Sequence, residues 1–172
     1  TQKMEKPNAM HITAIALQKG GTGKSTTAHA LGQGLRARGR SVLFVDLDPQ
    51  GNLSYIMRAE PGRPSAYEVI TNRANARQAI QRTEHGDIIP STQQLSGADI
   101  EVTQTGKEYR IREALHTLRD EYEFCIIDTP PALGTLTVNA LTAAAGVGTL
   151  DGLGALGDGA HADHEWASVS GM

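Results

Sequence analysis

The sequence is poor in cysteine and aromatic residues, and its last 53 residues contain neither lysine nor arginine. Cys125 is the only cysteine, so no disulfide can form within the chain, which suits the cytosol. The longest apolar runs fall well short of the roughly 20 residues that a membrane-spanning helix needs. With 39% hydrophobic and 4% aromatic residues, the 172-residue chain suits a single α/β domain packed mainly by Ala, Val, Ile and Leu.

The composition changes abruptly along the chain. All 16 Lys and Arg lie in residues 1–119, beside 11 of the 19 acidic residues, and the other eight acids lie in residues 120–172. Residues 146–172 include seven glycines and no periodic apolar stripe, so they are expected to be disordered or aberrant. A frameshifted or truncated tail is our hypothesis, and a natural flexible tail is the alternative. We therefore expect a flexible extension at 1–10, a domain at 11–145 and the Gly-rich tail.

A dense glycine-rich segment at residues 18–26, QKGGTGKST, follows a β-branched apolar run at 11–17. It opens a periodic helix over 24–38, and strand, glycine turn and helix together form a cradle of backbone N–H groups for phosphate. In such a loop Lys24 neutralises the β and γ oxygens, and the Ser25 hydroxyl ligates Mg²⁺. A glycine-rich turn that binds nothing is the alternative, but it explains neither Lys24 nor the additional Lys19.

Acidic residues follow two further apolar runs. Asp46 and Asp48 come after residues 42–45, and Asp128 comes after residues 124–127. Ligands of open α/β sheets bind at the carboxyl ends of the strands, where carboxylates can hold Mg²⁺. A solvated acidic turn closed by Pro49 is the alternative for the first pair. Beside the phosphate loop, a metal–phosphate site is the stronger interpretation.

Taken together, these segments resemble the deviant-Walker ATPases of the ParA/MinD superfamily, and within it the ParA/Soj partition proteins. Residues 19–26 match the deviant Walker A motif, residues 46–52 (DLDPQGN) the switch segment, and residues 128–131 (DTPP) the Walker B motif. The resemblance covers roughly residues 10–145, with weaker similarity at 64–70, 89–95 and 136–141. The DPQGN sequence favours the partition branch over the MinD branch.

The resemblance implies a P-loop NTPase-like α/β fold, with a mostly parallel sheet and flanking helices. It implies ATP and Mg²⁺ as cofactors, with nucleotide contacts from Lys19, Gly20, Gly21, Thr22, Gly23, Lys24, Ser25 and Thr26. The metal residues would be Ser25, Asp46, through a bound water, and Asp128. The catalytic residues would be Lys19, which reaches the phosphates of the second subunit, Lys24, and Asp48, which orients the attacking water.

For function, the resemblance implies an ATPase that drives plasmid or chromosome partition as an ATP-dependent homodimer. Its partners would be a ParB-like protein and non-specific DNA, and its location the cytoplasm, at the nucleoid for a longer version. For this chain DNA binding is expected to be weak or absent, because the last 53 residues contain no lysine or arginine that could neutralise DNA phosphates. The alternatives are a non-functional relic that binds nucleotide weakly and a MinD-like membrane-associated regulator. The latter should end in a basic amphipathic helix.

The remaining sequence predicts strands near 11–17, 42–46, 87–90 and 124–128. Helices are predicted over 64–70, up to about Gln81, over 107–121 and over 135–145, and residues 53–63 are expected to be mobile. The sheet is expected to lack its later strands, which would uncover apolar surface on the strand at 124–128 and on the helix at 135–145. Arg73, Arg77, Arg82 and His85 are interpreted as a solvated face rather than a DNA-binding patch. His161 and His164 do not form a metal-binding set.

Overall fold

The computed structural model describes residues 9–98 and 105–145, together with the backbone of residues 167–170. The helices in this part of the chain are α1 Lys24–Ala37, α2 Asn52–Ile56, α3 Ala66–Ile70, α4 Ala76–Ala79, α5 Arg110–His116 and α6 Thr135–Ala145, with 3₁₀ turns at Gln93–Gly97 and Lys107–Tyr109. The strands are β1 His11–Ala16, β2 Val42–Asp46, β3 Gln81–Thr83, β4 Gly86–Ile89, β5 Phe124–Asp128 and β6 Ala167–Ser170.

The six strands form one sheet in the order β3-β4-β2-β5-β1-β6. The four central strands are parallel, and β3 and β6 are antiparallel to their neighbours at the two edges. In the register, Asp128 pairs with Asp46 on one side and with Ile15 on the other. The carboxyl ends of β1, β2 and β5 therefore meet at the same edge of the sheet.

Alternation along the strands divides the core into two layers. On one face Phe44 and Ile126 pack with Ala28 of α1. On the other face Leu43 and Ile127 belong to a larger cluster that also includes side chains of α3, α5 and α6. Helices thus cover both faces, as expected for parallel strands that are apolar along their whole length.

Two short helices are defined by polar caps at their first residues. The Ser65 hydroxyl accepts the Tyr67 N–H over 3.2 Å, while Glu68 reaches back to the Ser65 N–H over 2.7 Å. Asn75 and Gln78 form the same reciprocal arrangement at the start of α4. Such capping boxes satisfy backbone donors that a first helical turn leaves unpaired.

The predicted α/β class with a mostly parallel sheet is confirmed, and four predicted strands are present within one or two residues of their expected bounds. Several local predictions were wrong. The helix expected to run to Gln81 ends at Ala79 and is followed by β3, and the helix expected over 107–121 begins as a 3₁₀ turn and ends at His116. The stretch expected to be mobile contains α2.

The prediction of uncovered apolar surface on the strand at 124–128 was also wrong. β5 lies in the middle of the sheet, between β1 and β2, and its residues 125–128 are buried. Helix α6 buries most of its residues rather than exposing an apolar face. The reason is topological: β5 is inserted between two earlier strands, so it never forms an edge.

The structure describes a short stretch of the tail over 146–172, which was expected to be disordered. Within it, Ala167–Ser170 forms β6 and pairs with β1, Val169 opposite Ala14. An edge strand presents unpaired N–H and C=O groups that another extended segment can satisfy. The rest of the tail, including His161 and His164, lies outside the described residues.

Candidate functional site

The phosphate loop connects β1 to α1 and has the left-handed turns that its glycines permit. Gly21 and Gly23 have φ values of 70° and 83°, in a region that side chains with a Cβ rarely adopt. The Thr22 hydroxyl donates to the Lys19 carbonyl over 3.1 Å, which closes the loop. α1 then begins at Lys24, directly after Gly23. The result is an exposed loop of backbone groups on a helix N-terminus, suited to an anion.

Ser25 and Asp128 join the phosphate loop to the end of β5. The Ser25 hydroxyl donates to Asp128 Oδ2 over 2.5 Å, although 103 residues separate the two in sequence. Asp128 Oδ1 is buried and has no hydrogen-bond partner. Burial raises the pKa of Asp128 to about 6; the Ser25 hydrogen bond lowers it, the Asp48 charge raises it, and Lys24 and the Thr129 backbone N–H lower it. Lys24, only 7% exposed, therefore lies within the same electrostatic environment.

Asp46 lies beside Asp128 at the end of β2 but is bonded within the protein. Its Oδ2 accepts the Ser54 N–H over 2.8 Å and the Ser54 hydroxyl over 2.7 Å, and its Oδ1 accepts the Asp48 N–H over 3.1 Å. Burial raises the pKa of Asp46 to about 7; the Ser54 hydrogen bond opposes this shift and the Asp128 charge adds to it. Asp46 thus stabilises the turn that follows β2.

Asp48 occupies the turn after β2 and is 6% exposed. Its Oδ1 accepts the Gln50 N–H over 3.0 Å, which is an Asx-type turn, and its carbonyl accepts the Gly51 N–H over 2.9 Å. Gly51, with φ 67°, reverses the chain into α2. These bonds hold the switch segment 46–52 in one conformation.

The donor set of the site fits Mg²⁺ together with a polyphosphate. Within the described residues, no group of three or more His, Cys, Asp or Glu side chains has metal-ligand geometry. Mg²⁺ in phosphate sites takes only one or two protein ligands and completes its shell with phosphate and water oxygens. Ser25 and the unpaired Oδ1 of Asp128 offer such ligands, whereas all three hydrogen bonds described for Asp46 are made within the protein.

The structure brings most of the predicted site residues together. Lys24, Ser25 and Asp128 converge below the phosphate loop, while Asp46 and Asp48 lie alongside in the switch segment. Lys19 is exposed at the start of the loop. Pro131 lies 4.0 Å from the position that a Cβ at Gly20 would occupy, so the segments at 19–26 and 128–131 are in contact.

Sequence reasoning missed three polar residues that support the site. Ser54 binds Asp46, Ser91 donates to the Asp48 carbonyl, and Thr129 donates to the Ile15 carbonyl over 2.8 Å. The only sequence signal for Ser91 was the weak similarity at residues 89–95. No local pattern identifies Ser54 as a partner of Asp46, because that contact depends on how α2 folds back.

The residues interpreted as a solvated basic face are partly paired within the fold. Arg77 forms an ion pair with Glu121, and the Arg73 guanidinium lies over the Tyr67 ring, 5.4 Å from its centroid. Cys125 is fully buried in β5, and burial raises the pKa of its thiol. In the described residues no helix has the length and apolar character needed to cross a membrane.

Comparison with known proteins gives consistent matches. A family described as an AAA domain, AAA_31, matches residues 10–147. The chain is 44% identical over 137 residues to the sporulation initiation inhibitor protein Soj of Bacillus subtilis, covering 77% of this chain and 54% of Soj. It is 46% identical over 145 residues to the chromosome partitioning protein ParA of Caulobacter vibrioides, covering 80% of this chain and 54% of that protein.

A solved structure resembles the fold closely. The cobyrinic acid a,c-diamide synthase of Mycobacterium smegmatis, with a bound ATP analogue and magnesium, superposes with a TM-score of 0.76 at 39% identity. The superposition covers 79% of this chain and 57% of that one. The chain spans about half the length of the curated relatives it matches.

Proposed function

Because the chain belongs to the AAA_31 family and has the motifs of its ParA/Soj-type ATPases, we propose that it binds Mg-ATP and hydrolyses it to drive DNA partition. Partition is preferred to the amide synthesis named for the M. smegmatis protein because the ParA and Soj relatives show higher sequence identity. The DPQGN sequence at 48–52 favours the same branch.

Nucleotide binding is assigned to residues 19–26. The backbone N–H groups of the loop would surround the phosphates, and Lys24 would neutralise the β and γ oxygens. Mg²⁺, held by Ser25 and Asp128, would neutralise charge on the phosphates. That assignment rests on the unpaired Oδ1 of Asp128, since a buried carboxylate oxygen without a donor is costly unless a ligand satisfies it.

Hydrolysis is assigned to Asp48 and Lys19. Asp48 would orient the attacking water, and its carboxylate is held at the sheet edge by the turn at 48–51. Asp46 would contribute through a water, in addition to its bonds to Ser54. Lys19 is exposed at the mouth of the loop, which leaves it accessible to the phosphates of a second subunit. Phosphoryl transfer depends mostly on positioning and charge neutralisation, which these residues supply.

The proposed assembly is an ATP-dependent homodimer that acts with a ParB-like partner on DNA, in the cytoplasm at the nucleoid. We expect DNA binding by this chain to be weak, because its lysines and arginines are confined to residues 1–119 and several of them already form ion pairs. Phosphate contacts by free Lys and Arg supply most non-specific affinity. A mobility-shift assay with ATP at low and physiological salt measures DNA binding by this chain. Tight binding at physiological salt would contradict the expectation.

The observation that carries the proposal is the Ser25–Asp128 contact beneath the phosphate loop. It is tested by calorimetric titration with ATP in Mg²⁺, ATP in a chelator, and AMP, combined with a phosphate-release assay. We expect Mg²⁺ to strengthen ATP binding, Ser25→Ala to remove most of this effect, and AMP to bind weakly. Ser96→Ala, which removes an exposed hydroxyl that donates to the Gln93 carbonyl, is the control. Equal affinity for ATP with and without Mg²⁺ would overturn the assignment.

A nucleotide-binding relic without turnover is the second candidate. The confinement of basic residues to the first 119 positions favours it for this chain. Mg-ATP binding without phosphate release, even at high protein concentration and with DNA, would support the relic. Measurable release that Lys24→Ala abolishes would support the ATPase.

A further inference from the structure

Four residues from three parts of the chain form a closed ring of hydrogen bonds beside the site. The Asp48 N–H donates to Asp46 Oδ1 over 3.1 Å, and the Ser54 hydroxyl donates to Asp46 Oδ2 over 2.7 Å. The Ser91 N–H donates to Ser54 Oγ over 2.9 Å, and the Ser91 hydroxyl donates to the Asp48 carbonyl over 2.5 Å. We call Asp46, Asp48, Ser54 and Ser91 the switch ring.

The switch ring holds both backbone polar groups of Asp48. Asp46 accepts its N–H, and Ser91 donates to its carbonyl, which also accepts the Gly51 N–H. With the Asx turn to Gln50, three of the polar atoms of Asp48 are fixed by neighbours. Because its backbone and one of its carboxylate oxygens are hydrogen-bonded, the Asp48 side chain can adopt few orientations.

Three of the four members of the ring are buried, Ser91 is half-buried, and the ring is anchored to the sheet. Asp46 is fully buried, and Asp48 and Ser54 are 6% and 8% exposed, so water competes little for these bonds. Ser91 lies two residues after the end of β4, and the carbonyl of the intervening Pro90 accepts the Ala66 N–H of α3 over 2.8 Å. The switch segment is therefore tied to β4 and α3, and not only to its own strand.

We propose that Ser54 and Ser91 are positioning residues, which fix the Asp48 carboxylate for water orientation by closing the switch ring. The proposal rests on the function proposed above. Neither serine belongs to the phosphate loop at 19–26, so removing its hydroxyl should affect turnover rather than nucleotide affinity. Removing a serine with a merely structural role would lower the stability of the protein, but it would not separate turnover from nucleotide affinity.

The test compares Ser54→Ala and Ser91→Ala with Ser54→Thr, which keeps a hydroxyl, and with the exposed Ser96→Ala. Amide hydrogen exchange is measured over residues 46–56 and over the phosphate loop, with calorimetric Mg-ATP affinity and phosphate release. One intramolecular hydrogen bond contributes about 0.5–1.5 kcal/mol, so each alanine variant should accelerate exchange over 48–54 by about twofold to tenfold. Exchange in the phosphate loop and affinity should stay within about twofold of the unmodified chain.

Turnover should fall in both alanine variants and return in Ser54→Thr. Exchange at 48–54 that is no faster in Ser54→Ala and Ser91→Ala than in Ser96→Ala would overturn the proposal. A loss of affinity equal to the loss of turnover would overturn it as well, because the serines would then support phosphate binding. If the unmodified chain binds Mg-ATP without turnover, the proposed function fails, while the exchange comparison still decides whether the serines hold Asp48.

Discussion

Gly32 of α1 lies directly against the ring of Phe44 in β2. A Cβ placed on Gly32 would be 2.2 Å from both Cε1 and Cζ of that ring, well inside any real contact distance. The absence of a side chain therefore lets α1 pack close to the sheet. Since α1 carries Lys24 and Ser25 at its first turn, this approach also sets how near the phosphate loop lies to Asp128.

Replacing Gly32 with alanine should destabilise the protein by about 1–3 kcal/mol, because the new methyl group overpacks the layer between α1 and β2. Gly34→Ala in the same helix is the matched control. Gly34 is exposed with open space around its Cβ position, so alanine there should stabilise the protein by about 0.5–1 kcal/mol. Urea unfolding monitored by circular dichroism measures both, and equal effects of the two substitutions would contradict this packing.

Much of the fold could be predicted because its strands are short apolar runs bounded by turn residues. β2 and β5 are examples, and each ends in the aspartate that the pattern indicated. β3 was not predicted because Gln81, Arg82 and Thr83 carry no apolar signal; they form a strand by pairing with β4. The position of β5 in the middle of the sheet depends on topology, which no local window contains.

The resemblance to ParA/Soj-type ATPases is confirmed, and it indicated which residues gather at the site. It did not indicate how Asp46 is bonded. Its two oxygens accept hydrogen bonds from Asp48 and from Ser54, eight residues further along the chain. That contact arises when Gly51 turns the chain into α2, so it follows from backbone geometry rather than from residue type.

Lys24→Ala should weaken Mg-ATP binding by at least about tenfold, since a hydrogen bond from a charged group contributes about 1.5–3 kcal/mol. Isothermal titration calorimetry provides the affinity. Arg38→Ala removes an exposed cation at the other end of α1 and should leave the affinity unchanged, which separates a specific contact from a change in net charge. If both variants bind equally well, residues 19–26 are not the nucleotide site.

Lys19→Ala and Asp48→Ala should impair different steps, the first dimerisation and the second ATP hydrolysis. In a version of the protein with the length of its relatives, Lys19→Ala should impair ATP-dependent dimerisation, because the exposed lysine would contact the second subunit. Asp48→Ala should dimerise normally and lose at least about tenfold in phosphate release, the range of a lost positioning group. Analytical ultracentrifugation with ATP and a phosphate-release assay decide between them; normal hydrolysis by both variants would refute the two roles.

Stability without nucleotide or metal should fall as the pH rises from about 4 to about 7. Burial raises the pKa of Asp46 to about 7 and that of Asp128 to about 6, both from an ordinary value of 3.8. In that window the unfolded chain releases protons that the folded chain retains, so ionisation favours unfolding. Below about pH 4 both states hold the protons, and above about pH 7 both have lost them, so the slope disappears.

Asp128→Asn isolates one of these groups. An amide can keep its oxygen toward the Ser25 hydroxyl, but its nitrogen then lies where Oδ1 has no partner, so we expect a pH-independent loss of stability of about 1–3 kcal/mol. We expect the loss of stability between about pH 4 and pH 6 to shrink by an amount on the order of 2 kcal/mol, given about 1.4 kcal/mol per pKa unit. Asp120→Asn, at an exposed site, should retain the full slope. Urea unfolding across this pH range is the measurement, and an unchanged slope in Asp128→Asn would mean that the carboxylate is already ionised in the folded protein and that its burial is offset by Lys24.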